Sequence, residues 1–184
     1  MFDRQYTRRE SRLKRLCEEQ LRGIEISDPY AVDEICRQLA MKRGRPLYLH
    51  ELPETGGVNA PCGMVLSFDT EDHIFHVAAT SHRHRAQIVR HELAHLLLGH
   101  ADGNESVISS LMTALPGEVD PSTVLAALGR TSYDSETEFD AEIAASCLGE
   151  LARNLAHSGR EPSRFGAVSR LEDALVHPRK NRRS

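Results

Sequence analysis

Arg90-His91-Glu92-Leu93-Ala94-His95-Leu96-Leu97-Leu98-Gly99-His100 is the stretch that decides how this chain folds. Val89, Leu93 and Leu96 fall on one side of a helix predicted to begin after Ser81 and end at Gly99, while Ile88 and Leu98 fall on the other. A helix apolar on both sides is expected to be central. Four helical residues make about one turn and ~6 Å of rise, so His91 and His95 share a face. Two neutral imidazoles so placed can grip one tetrahedral zinc ion. Glu92, one step from His91, can lean over a water in the open position and take its proton. The competing account is a surface helix with two unrelated histidines, but unpaired histidines are poor choices for a helix buried on both sides.

A catalytic zinc site usually takes three protein ligands. His100 stands nine residues after His91, but the longer three-histidine motif needs ten and a glycine at the seventh position, where this chain has Leu98. His100 is therefore expected at the rim or in a structural role. The better candidate is Glu138, in Glu138-Phe139-Asp140-Ala141-Glu142, a carboxylate from a second helix that completes a His2Glu set. Glu142, one turn on, is placed to orient a ligand histidine through its far nitrogen. Glu136 and Glu142 compete for the third position, and Ser135-Glu136-Thr137-Glu138 also fits a capping box in which Glu138 only closes a helix start.

Outward from this motif the pattern is mixed. A charged helix is predicted over residues 4–22 with Leu13, Leu16 and Leu21 on one side, and a second after Ser27 with Pro29 in its first turn, running through Val32, Ile35 and Leu39 to Gly44. A short strand follows at residues 46–50, a loop at 53–57, and a β-hairpin from Met64 to Ala79. Residues 102–150 carry ten acids and one base, Arg130, and the first part of this stretch reads as short helices around Pro116, Gly117 and Pro121. From Ser135 a long helix is indicated by Phe139, Ile143, Cys147, Leu151 and Leu155, and a last one by Phe165, Val168, Leu171 and Leu175. The fold class expected is α+β, with a small antiparallel sheet on the central helix, in one domain over residues 1–178 and a basic tail over 179–184.

With 184 residues, 40% hydrophobic and 27% charged, and a net charge of −4, the chain is an ordinary globular one, not a disordered or disulfide-framework chain. Cys17, Cys36, Cys62 and Cys147 form no CxxC pair, so thiolate zinc fingers are excluded and reduced thiols are expected; Cys62 is a small buried residue first and a resting-state zinc ligand second. No apolar run is long enough to cross a bilayer and no signal peptide is visible, which leads us to expect a cytoplasmic protein. The basic cluster His82, Arg83, His84, Arg85 and Arg90 has no interleaved aromatics and reads as a solvated helix start, not a nucleic-acid surface. Its position is unfavourable to the helix dipole. For a second oxyanion donor, His100, Tyr133, Arg130 and His157 are candidates.

The segment Arg90 to His100, preceded by a hairpin ending Val77-Ala78-Ala79 and followed by Glu138-Phe139-Asp140-Ala141-Glu142, resembles the ImmA/IrrE family of bacterial metallopeptidases over roughly residues 30–155. The resemblance implies a zincin-like fold, zinc held by His91, His95 and Glu138, and Glu92 as general base. It also implies a protein substrate, commonly a helix-turn-helix repressor encoded nearby. Gly99 stands where the family often has His, and Glu142 where Asn or Asp is common. The two N-terminal helices lack a convincing helix-turn-helix turn, so any DNA is expected to be reached through the partner. The competing class is a non-catalytic regulatory or toxin-antitoxin binding protein on the same fold, stabilised by its metal; a pure scaffold needs no base at Glu92.

Overall fold

The computed structural model describes residues 2–52, 62–78, 81–100 and 133–158, with side chains from Tyr6 onward. The loop expected at 53–57, the hairpin's last residue Ala79, the short helices of 102–132 with Arg130, the last helix and the basic tail lie outside the described residues. Among the described residues the chain is α+β, with four helices and a three-stranded mixed sheet. No described helix is long and apolar enough to cross a membrane.

Helix α1 (Phe2–Leu21) buries Leu13, Cys17 and Leu21, one residue per turn. Helix α2 (Val32–Arg43) buries Val32, Ile35, Cys36 and Leu39 and stops at Gly44, whose φ of 64° is the left-handed conformation that glycine adopts without strain. It starts three residues after Pro29, later than the sequence suggests. The Asp28 carboxylate accepts from the Tyr30 N–H at 2.9 Å and the Asp28 carbonyl from Ala31 N–H at 3.1 Å, so this segment is a turn before the helix and not its first turn.

Strands β1 (Leu47–Leu52), β2 (Gly63–Ser67) and β3 (Asp72–Val77) lie in the order β1-β3-β2. The hairpin of β2 and β3 is antiparallel as expected, with Val65 opposite Ile74, but β1 runs parallel to β3, with Leu49 opposite Ile74. The expectation of a wholly antiparallel sheet is therefore corrected. Local alternation encodes a hairpin turn, whereas the direction of a strand that joins from elsewhere is set by which edge it docks against.

Helix α3 (His82–Leu98) packs on β2, on β3 and on α4 (Ser135–Ser158), and α1 covers the other side of α4. Ser81 caps α3 by accepting from the His84 N–H, and Gly99 ends it with φ 75°. The buried set on α3, from Ala86 and Val89 to Leu93 and Leu96, includes Arg90, Glu92 and His95, so the motif helix is central. Helix α4 begins as expected, but its fully buried residues are Ala141, Ala144, Ala145, Leu148, Gly149, Ala152 and Ala156, not the larger apolar series from Phe139 to Leu155. Squeezed between two helices, α4 turns its small side chains inward so that backbones approach closely. Cys17 Sγ reaches Ala144 O at 3.5 Å across that gap, while Phe139 stays 41% exposed beside Tyr6.

Candidate metal centre

The α3 helix brings His91 and His95 onto one face, with their Nε2 atoms 3.1 Å apart. The third group comes from α4. Its start is fixed by Asp134, whose Oδ1 accepts from the N–H groups of Glu136 at 2.9 Å and Thr137 at 2.8 Å. Asp134, not Ser135, is thus the cap, and the capping-box alternative for Glu138 falls away. Glu138 instead turns to the histidines, its Oε2 3.3 Å from His91 Nε2 and its Oε1 3.7 Å from His95 Nε2. His91, His95 and Glu138 form a group that can hold a metal ion, one donor atom from each lying within 4.8 Å of the others. Ligands ~2.0–2.2 Å from a tetrahedral ion are about 3.3–3.6 Å from one another, so the spacing and the two-nitrogen, one-oxygen donor set fit such an ion.

The electrostatics suit ligation. Burial, with the neighbouring His91 and His100, pushes the His95 imidazole down to about 3, so it is neutral at pH 7 with a lone pair to give. His100 Nδ1 sits 3.2 Å from His95 Nδ1, on the side away from His91, and Tyr133 stacks on the His95 ring at 4.0 Å between centroids. His100 thus neighbours His95 and is not one of the three residues of the group. Glu142 Oε2 is 3.5 Å from His91 Nδ1. Glu136 is not in the group; its carbonyl accepts from Arg9 Nη2 at 3.1 Å.

Glu92 is 6% exposed, and burial followed by the Glu138 charge pushes its carboxyl up to about 8. Its position depends on Gly63, the first residue of β2. A Cβ there would stand 2.7 Å from both Glu92 Oε1 and Ile88 Cγ2, so only glycine admits this approach of sheet to helix. Gly63 was not among the residues singled out from the sequence; the signal was a lone glycine opening a strand, in Pro61-Cys62-Gly63.

Glu92, both histidines, Glu138 and Glu142 line one cavity of about 650 Å³, with Cys62, Gly63 and Met64 on its sheet side, Arg83, His84 and Gln87 on the first turns of α3, and Tyr133. Cys62 is exposed on this wall, contrary to the buried reading. Of the other oxyanion candidates, His157 bonds the Arg153 carbonyl near the far end of α4 and does not line the cavity, and Arg130 lies outside the described residues.

The basic cluster also finds its explanation. Arg85 makes two bonds to Asp33, at 2.7 and 2.8 Å, Arg83 lies 5.4 Å over the Tyr30 ring, and Arg90 Nη1 donates to Pro29 O at 3.2 Å. These side chains tie the first half of α3 to the turn before α2 and to its first residues. Compared with protein-family models, curated proteins and solved structures, the chain matches none.

Proposed function

We propose that this protein is a zinc-dependent endopeptidase of the ImmA/IrrE type, with a zincin-like arrangement of helices, that cleaves a partner protein such as a helix-turn-helix repressor. The observation that carries the proposal is the arrival of Glu138, from a helix more than 40 positions along the chain, at the two histidines of the motif, with Glu92 on the wall of the same cavity. His91, His95 and Glu138 would hold the ion, and Glu142 would orient His91 through Nδ1. Zinc, when bound, supplies Lewis acidity toward a carbonyl and acidifies a ligated water.

The chain's own residues supply the rest. Glu92 accepts a proton at a carboxylate oxygen and later donates it to the leaving amine. Burial favours the neutral form of Glu92, and a divalent cation held by His91, His95 and Glu138 would oppose that and favour the carboxylate. Among the described residues strand β2 lies at the sheet edge, and Gly63 and Met64 line the cavity, so an extended peptide can add along that edge and lie across the centre.

The test is Glu92→Gln. The variant is expected to keep its metal content by elemental analysis and to lose cleavage of the repressor encoded next to it, followed by mass spectrometry. Unaltered biological activity in Glu92→Gln, or an intact neighbour after incubation with fully loaded protein, would support a metal-stabilised binding protein instead.

A further inference from the structure

A second, smaller cavity of about 160 Å³ adjoins the first, with Gln87 and Glu142 on the walls of both. Its other polar walls are Arg90 of α3 and Ser146 and Arg153 of α4. Arg90 is 8% exposed, and its one acceptor among the described residues is the Pro29 carbonyl at 3.2 Å. Among the described residues neither Arg90 nor Arg153 has a carboxylate partner. Both guanidinium groups converge on Gly149, where an added Cβ would stand 3.4 Å from Arg90 Cζ and 3.5 Å from Arg153 Nη1. The acid on this wall, Glu142, faces His91 Nδ1 at 3.5 Å and pairs with neither arginine.

Two unpaired guanidiniums brought together, one of them buried, repel each other and forgo the bidentate pairing that makes arginine worth burying. An anion between them reverses both penalties. The volume is ample for one small anionic group and its hydration. We propose that this cavity is an oxyanion site in which Arg90 and Arg153 clamp a carboxylate or phosphate group, with Gln87 and Ser146 as neutral donors. The proposal does not depend on the hydrolase reading.

The test titrates inorganic phosphate, and separately acetate, into the whole chain at constant ionic strength, after chelation and dialysis so that no metal takes the anion. Calorimetry and amide chemical shifts report binding. Saturable binding is expected, with shifts confined to Gln87, Arg90, Ser146, Gly149 and Arg153, and a preference for acetate or phosphate assigns the natural group to a protein carboxylate or a phosphate. Arg153→Gln, at an exposed position of α4, is expected to weaken binding about ten-fold or more, as loss of one charge-assisted pairing should. Arg90→Lys, which keeps the charge and loses the fork, is expected to weaken it as well. No saturable response, or wild-type affinity in Arg153→Gln, overturns the site.

Discussion

Two buried carboxylates, one at each end of strand β2, have opposite surroundings. Asp72, at the start of β3, is fully buried and answered from all sides: Arg43 Nη1 donates at 2.7 Å, Arg45 Nε at 2.9 Å and Ser67 Oγ at 2.7 Å. Glu92 is nearly as buried, yet among the described residues nothing donates to it, and the nearest charge raising its proton affinity is another carboxylate. The first acid, neutralised by two arginines, holds shape; the second, left without a donor beside an open cavity, is the one that the proposed hydrolysis would use.

That contrast can be broken or sharpened by mutation. Removing Glu138 takes a donor from the metal group without touching the Asp72 cluster: Glu138→Ala is expected to lower zinc affinity more than about 100-fold, since even residues one layer further out cost 10–100-fold. Competition with a calibrated chelator measures it, and unfolding in urea without metal should be unchanged. Asp72→Asn is the converse. Leaving two arginines unpaired costs about 3–5 kcal/mol when fully buried, and about 2 kcal/mol where, as here, their side chains are a quarter exposed. The midpoint of urea unfolding should fall while zinc affinity holds; equal losses of both would merge two regions that we keep apart.

Smaller effects test the supports of the centre. Asp134→Ala removes the cap of α4 and is expected to cost about 1 kcal/mol, with a modest loss of zinc affinity because Glu138 stands on the first turn of that helix. Smallest is the Arg85 pair. The hydrogen bond from Arg85 holds the Asp33 carboxyl below its usual range. Its folded value thus lies below its unfolded one, so the contribution is full above pH ~4 and fades as pH falls through the folded value. Asp33 is 67% exposed in its side chain, which limits the effect to under about 1 kcal/mol. Asp33→Asn should lower stability at pH 7, and by progressively less as the pH falls below ~4; a difference that stays constant as the pH falls contradicts the linkage.

The local signals carried well where one element explains itself. Ser81 and Gly99 bound α3, Gly44 ends α2, and the alternation from Met64 onward marks the β2–β3 hairpin. They carried poorly where the partner lies far along the chain. Alternation in β1 says nothing of its parallel docking on β3, and the four-residue series on α4 concealed the alanine face because helix crowding, not hydrophobicity, selects it. The Arg83, Arg85 and Arg90 cluster looked unfavourable beside a helix start only because Tyr30, Asp33 and Pro29 were not yet next to it.

Helical periodicity alone was enough to put His91 and His95 on one face and Glu92 beside them, because four residues make one turn of any α-helix. The third donor was open among Glu136, Glu138 and Glu142 until tertiary structure chose. The Asp134 cap sets the phase of α4, the alanine face lets α4 approach α3, and that approach points Glu138 at both imidazoles. Spacing along one helix is a local property of the backbone; convergence from two helices depends on how they pack.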